Sequence, residues 1–435
     1  MGEIRTIRMD DPSARKQLAE LRRPLLLEQL LQDSPELRGV QQIIDDVRQW
    51  GDQAVADATR RVDGVELRPD GFRVPVAEIE AAGKGLDPTL RAAIRRSIQQ
   101  VREFQEHILT RTREALVRGG CSLQARLLPV RRVGVCVPGA SAPLPSSAIH
   151  CVVPAQVAGV KEVAIVAPPR HKGSVHPTIL GVAAELGVTE VYRVGGPQAV
   201  AALAIGTAAI PRVDKIVGPG SVYTQLAKRL CYGLVDIEMF AGPSEVVVIA
   251  DDSAEPAHVA ADLLAQAEHD PGAAILLTPS EGLLEAVRME LERQLPTLSR
   301  GEGASRALER FGALVRVRDL DEAAAITNEL APEHVEIETR NADALVDRVT
   351  NAGAIFVGLH GTEAAGDYVA GPSHVLPTGG SARFWSGLSC NDFLRRTSII
   401  RYDEAAMQAD GPAIIALAEA EGLTAHANSV RVRLT

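Results

Sequence analysis

An acid and an imidazole side by side are among the smallest units able to handle protons near neutral pH. The stretch APEHVEIET supplies such a unit in Glu333 and His334, just before an apolar, β-branched run. Two acceptors of different basicity at a strand end suit general acid–base work, and the same pair would also pass as ordinary charges on a surface loop. Upstream, DLLAQAEHDPG ends an amphipathic pattern with Gln266 and His269 three residues apart. A helix presents such residues on one face, where they could share a ligand. Histidine is the commonest metal-ligating side chain, although the pair also fits a helix-end cap. His258, earlier in the same pattern, fits that plainer role. The loop GDYVAGPSHVLPTGG carries Asp367 and His374, and LTAHAN carries His426 with Glu421 upstream. Loops of this kind hold functional groups, but Asp is also a turn residue. The long separations match no short zinc signature.

These residues need a scaffold. To about Arg118 the chain reads as helical, with apolar residues at helical spacing in RGVQQIIDDVRQWGDQAVADATRRV and LRAAIRRSIQQVREFQEHIL. From about Arg131 short β-branched runs alternate with helical patterns. The runs are RVGVCV, EVAIVA, EVYRVG, KIVG, EVVVIA, AILLT, ALVRV, VEIET and AIFVG. This rhythm predicts parallel sheets covered by helices, with too many strands for one sheet, hence two α/β domains. Glycine-rich turns follow three of the runs, at 137–147, 194–201 and 217–223, while AGPSEV at 241–246 precedes one. Glycine lets a backbone approach a ligand, and ligands gather at the carboxyl ends of strands in open α/β sheets. None of the turns is GxGxxG, so they indicate a small-ligand cleft and no more. The tail from about Cys390 returns to helix. No internal repeat or low-complexity linker is visible.

Composition narrows the class. A net charge of −10 and a pI near 5.6 argue against a duplex nucleic-acid binder or an anionic-membrane ligand. No apolar run is long enough to span a bilayer, and the charged N-terminus lacks a signal-peptide core. Cys121, Cys136, Cys151, Cys231 and Cys390 form no CxxC pair and read as reduced thiols, so a cytoplasmic setting is expected.

In this order, VPAQVAGV, GPSEVVVIAD, ADLLAQAEHDPG, APEHVEI, NAGAIFVG, GDYVAGPSHVLPTGG and LTAH resemble the histidinol dehydrogenase family, from about Val47 to the C-terminus. The resemblance implies two incomplete Rossmann-like α/β domains with parallel sheets, plus small helical N- and C-terminal pieces. It allots residues 1–30 to an N-terminal helical segment and 31–137 with 244–388 to a first domain bearing zinc and catalytic residues. Residues 138–243 become a second, NAD-side domain and 389–435 a helical tail.

The implied activity is the zinc-dependent, NAD-dependent oxidation of L-histidinol to L-histidine through L-histidinaldehyde, the last step of histidine biosynthesis. One zinc per subunit would be held by Gln266, His269, Asp367 and His426. His334 would take the alcohol proton and Glu333 would activate water. Ser244, His374 and Glu421 would touch substrate, together with the zinc ligands and His334. The family's homodimer shares its site between subunits, which implies His374, Glu421 and His426 reaching across. NAD contacts fall on Cys136, Gln198 and Ser221, of which only Gln198 keeps the family's residue. Cys136 stands where the family has Tyr, Ser221 where it has Asn, and Ala140 where it has a second glycine; the first two changes predict a weaker hold on NAD or an altered cofactor geometry, and the third a restricted backbone approach. Such ligand sets also accept Mn or Co. Two other readings stay open: a paralogue acting on another small polar alcohol, and a zinc- or ligand-binding protein without a working cofactor site.

Overall fold

A computed structural model describes residues 4–25, 32–139, 143–269 and 271–434. The strands in chain order begin with β1 (Arg5–Arg8), β2 (Leu116–Arg118), β3 (Cys121–Pro129), β4 (Arg132–Cys136), β5 (Glu162–Val166), β6 (Val191–Tyr192), β7 (Lys215–Val217) and β8 (Asp236–Ile237). They continue with β9 (Ser244–Ala250), β10 (Gly272–Thr278), β11 (Gly312–Arg316), β12 (His334–Glu338), β13 (Ala354–Val357) and β14 (Leu394–Tyr402). Each apolar run read from the sequence overlaps one of these strands.

Two parallel sheets result, ordered β6-β5-β4-β7-β8 and β1-β11-β10-β9-β12-β13. Counted from its own first strand, β4 or β9, each sheet runs third, second, first, fourth, fifth. That is the order of a nucleotide-binding half-fold, with β1 added beside β11 in the larger sheet. The protein is therefore α/β with two Rossmann-like sheets. β14, β3 and β2 form a separate antiparallel sheet.

Fully buried parallel strands favour continuous β-branched runs, and β9, SEVVVIA, is one. Its Val246, Val248 and Ala250 enter the apolar core on one face of the sheet, while Val247 and Ile249 enter the core on the other. β12 departs from this pattern. All five of its residues are buried, yet only Val335 and Ile337 join an apolar core. His334, Glu336 and Glu338 occupy the opposite face by the two-residue period of a strand.

The structure corrects the domain division. Helices Pro35–Trp50 and Asp52–Asp63 supply Val40, Ile44 and Val55 to a core shared with Ala164, Val166 and Ile216 of the five-stranded sheet. Helices Val76–Lys84 and Pro88–Ile108 supply Ile79 and Val101 to the core on its other face, which also takes Val375, Leu388, Cys390 and Phe393. Residues 31–137 thus group with 138–243, not with 244–388, because their apolar faces complement that sheet. Within 1–30, residues 5–8 form a sheet edge instead of helix, since Ile7 buries against the larger sheet. Within 389–435, β14 precedes the two C-terminal helices Glu404–Ala420 and Thr424–Arg431.

Candidate active site

His334 opens β12 and Glu333 immediately precedes it, beside the start of β9. One β9 residue holds both. The Glu245 amide donates to Glu333 Oε2 at 3.1 Å, and the Glu245 carbonyl lies 3.2 Å from His334 Nδ1. Only a protonated Nδ1 makes that second contact, so His334 carries its proton there and leaves Nε2 as the acceptor. Nε2 is buried and has no partner among the described residues. Burial, the largest influence, and the nearby His269 hold this imidazole down to about 3, so it is neutral across the working range. Glu333 is pushed well above the carboxylate range, first by burial and then by Asp367, against hydrogen bonds from the Glu245 amide and Ser244. The loop before β13 shapes the same corner: a Cβ on Gly353 would lie 2.6 Å from the Glu333 carbonyl oxygen, so only glycine fits there.

The helix Pro256–Ala267 ends near this pair. His269, just past its end, lies with Glu363 and Asp367 in a group whose ligand atoms are all within 4.8 Å of one another. Gln266 is fully buried and both its amide atoms lack partners. The His269 ring reaches solvent, but the surrounding protein and then Arg300 keep its basicity below the usual imidazole range. Asp367 is raised by burial to about 6. Glu363 is raised well above its ordinary value by burial and by Asp367, Glu333 and Glu336. A neutral imidazole, a carboxamide without partners and crowded carboxyls suit a divalent cation that accepts nitrogen and oxygen donors. Glu363 escaped the sequence reading. Its signal was its position four residues before Asp367 on the helix Glu363–Tyr368, which sets both on one face.

His374 lies in the same chain as Asp367, which corrects its expected place in a partner subunit. Its Nδ1 is 3.0 Å from the Asp367 carbonyl oxygen, and its ring stacks on His150 at 4.3 Å between centroids. It belongs here because Val375, next in sequence, anchors in the core that His150's helix, Pro145–Ala158, also lines. Ser244 begins β9 and is half-buried. Glu421 and His426 are exposed on the C-terminal helical pair, and His426 lies outside the His269–Glu363–Asp367 group.

The expected NAD residues share one edge of the five-stranded sheet. Cys136 ends β4, Ser221 precedes the helix that follows β7, and Gln198 begins the helix after β6. The reversal of strand order falls between β4 and β7, where a ligand crevice opens in such sheets. Gly218 there has φ +110°, and a Cβ on it would sit 2.3 Å from the Cys136 carbonyl oxygen. Gln198 is buried with Oε1 unpartnered, and Ser221 is exposed. Burial drives the Cys136 thiol up to about 12, so it packs and does not ionise. Ala140 lies outside the described residues.

Two nucleotide-type sheets beside a buried imidazole and a group of side chains able to hold a metal fit the architecture of an α/β oxidoreductase. The histidinol dehydrogenase family profile matches residues 29–434. Curated histidinol dehydrogenases from Rhodopirellula baltica and Halalkalibacterium halodurans are 50% and 47% identical, each over 91% of this chain and over 86% and 93% of their own lengths. A crystal structure of histidinol dehydrogenase from Elizabethkingia anophelis superposes with a TM-score of 0.91 at 35% identity, covering 99% of this chain and 98% of that one. The chain belongs to the histidinol dehydrogenase family.

Proposed function

We propose that this protein oxidises L-histidinol to L-histidine through L-histidinaldehyde, passing two hydrides to NAD, as the last step of histidine biosynthesis in the cytoplasm. The observation that carries the reading is the state of His334. Its Nδ1 is committed to the Glu245 carbonyl, so the buried, neutral Nε2 is free to accept the alcohol proton. Glu333 takes the second half-reaction, drawing a proton from water as it adds to the aldehyde. The same burial that raises Glu333 makes it a stronger base once ionised. Gln266, His269 and Asp367 would hold zinc, with Glu363 at their side. The metal, when bound, supplies a Lewis-acid anchor that orients the substrate. Ser244 and His374 line the substrate space. Glu421 and His426, exposed on the C-terminal helices, complete the site of a second subunit in a homodimer. Gln198, Ser221 and the backbone near Cys136 and Gly218 would receive NAD.

The test is NADH formation from L-histidinol by zinc-loaded protein. No NADH over a broad pH range would show that the substrate assignment is wrong.

A further inference from the structure

The face of β12 that carries His334 continues away from the active site as Glu336 and Glu338, and Asp262 of the helix Pro256–Ala267 meets them. One oxygen from each of the three carboxyls lies within 4.8 Å of the other two. Two of the three are held so that an oxygen is left over. Thr362 Oγ1 donates to Asp262 Oδ1 at 2.9 Å, and the Glu363 amide donates to Glu336 Oε1 at 2.6 Å. Glu336 Oε2 is buried and receives no hydrogen bond among the described residues. Glu338 is the decisive residue. It is only 2% exposed, and neither of its buried oxygens receives an N–H or hydroxyl. What it faces is another carboxyl, that of Asp262, near enough for the two to share a proton. No Lys or Arg pairs with any of the three among the described residues, although His258 lies near Asp262.

Buried carboxylates in contact need a proton or a cation between them. Burial and mutual repulsion drive Glu336 up to about 9 and Glu338 up to about 8, so at neutral pH the cluster is a strong acceptor for either. Unpartnered buried oxygens on Glu336 and Glu338, with the Asp262 carboxyl beside them and no nitrogen or sulfur donor among the three, suit a hard cation that completes its shell with water. We propose that Asp262, Glu336 and Glu338 form a second metal site, separate from the His269–Asp367 group, that takes a hard divalent cation of the Mg2+ or Mn2+ type. Its role is structural. It ties β12 to the helix Pro256–Ala267, and through Thr362 and Glu363 to the helix bearing Asp367.

The probe is Mn2+ added to protein already saturated with zinc. Electron paramagnetic resonance counts bound Mn2+, and elemental analysis checks that zinc is not displaced. The wild type should take up one further Mn2+ per chain and melt at a higher temperature with it. Glu338→Gln and, separately, Asp262→Asn should each weaken that uptake at least ~10-fold and lose the thermal gain, with zinc content unchanged. Two results overturn the proposal: zinc-saturated wild type that binds no further Mn2+, which leaves a shared proton as the occupant, or a folded Glu338→Gln protein that binds Mn2+ as tightly as wild type.

Discussion

The two sheets share a strand order and treat buried charge in opposite ways. In the five-stranded lobe buried charges are matched. Lys228 pairs with Glu238 at 2.6 Å, Lys215 with Asp236 at 2.7 Å, and Arg132 with Glu162 at 3.0 Å and with Glu190. In the six-stranded lobe Arg22 neutralises Glu245 at 2.9 Å. Glu333, Glu336, Glu338, Glu363 and Asp367 have no Lys or Arg partner among the described residues. The lobes also use opposite ends of their strands. Cys136, Gln198 and Ser221 lie at carboxyl ends, where such sheets ordinarily bind ligands, whereas Ser244, Glu333 and His334 lie at amino ends of β9 and β12. A matched ion pair satisfies itself. Unmatched buried carboxyls are tolerated when something else neutralises them, so they mark where the proposed chemistry and cation sites fall.

Breaking the six-stranded side should cost most. His334→Ala should lower the rate of histidinol oxidation by ~10²–10⁴-fold and leave the KM for NAD nearly unchanged. Oxidation of supplied histidinaldehyde should suffer less, and Glu333→Ala should reverse that ranking. Equal losses of both half-reactions in both variants would dissolve the division of labour. Gln266→Ala should weaken zinc retention by ~10–100-fold, read by dialysis against a chelator, with activity returning on added zinc. Unchanged retention would take Gln266 out of the ligand set.

The two lobes should also differ in the sign of their pH dependence. Glu336 and Glu338 are raised on folding, so the metal-free native state binds more protons than the unfolded chain between about pH 4.5 and about pH 8–9. Their contribution is intact at low pH and is lost as pH rises through that window. Glu190 is held below its ordinary value by Arg132 and Tyr192 despite burial, so its contribution is lost as pH falls. The melting temperature of metal-free Glu338→Gln should therefore decline less from pH 5 to 9 than that of the wild type. Glu190→Gln should instead flatten the acid side, and identical curves for all three proteins would refute the contrast. The smallest effect is expected at the proposed NAD contact Ser221. Ser221→Asn should lower the KM for NAD by ~5-fold, the worth of about one hydrogen bond, without changing the rate at saturation.

Much of this contrast was legible in the sequence, and the gaps have physical causes. Runs such as EVVVIA and AILLT announce buried parallel strands because their burial is local and continuous. β3 and β14, CSLQARLLP and LRRTSIIRY, mix polar and apolar residues along an exposed antiparallel pair, and no clean period survives. RTIR at β1 is too short to carry a pattern and is a strand only because β11 lies beside it. The grouping of residues 31–137 failed because an amphipathic helix declares that it has an apolar face, not which sheet will cover it. The sequence reading brought Glu333, His334, Gln266, His269 and Asp367 together, and the structure places them at one end of one sheet. It missed Glu363, and it missed the cluster of Asp262, Glu336 and Glu338, because a strand that reads HVEIE suggests one face in water. The fold turns that face inward.

The pairing of β1 with β11 bears on how the chain is made. Arg5 lies beside Ala313, so β1 must wait for a strand made much later in synthesis. Meanwhile the helices and strands from residue 35 to 237 supply the five-stranded sheet and most of its two cores, short only of Val375, Leu388, Cys390 and Phe393 on one face. That lobe can form first during synthesis, while the six-stranded sheet closes only after its strands at 312–316, 334–338 and 354–357 have emerged. Nascent chains stalled before residue 312 should therefore display a five-stranded lobe more resistant to protease than the β1 segment, which is still cut.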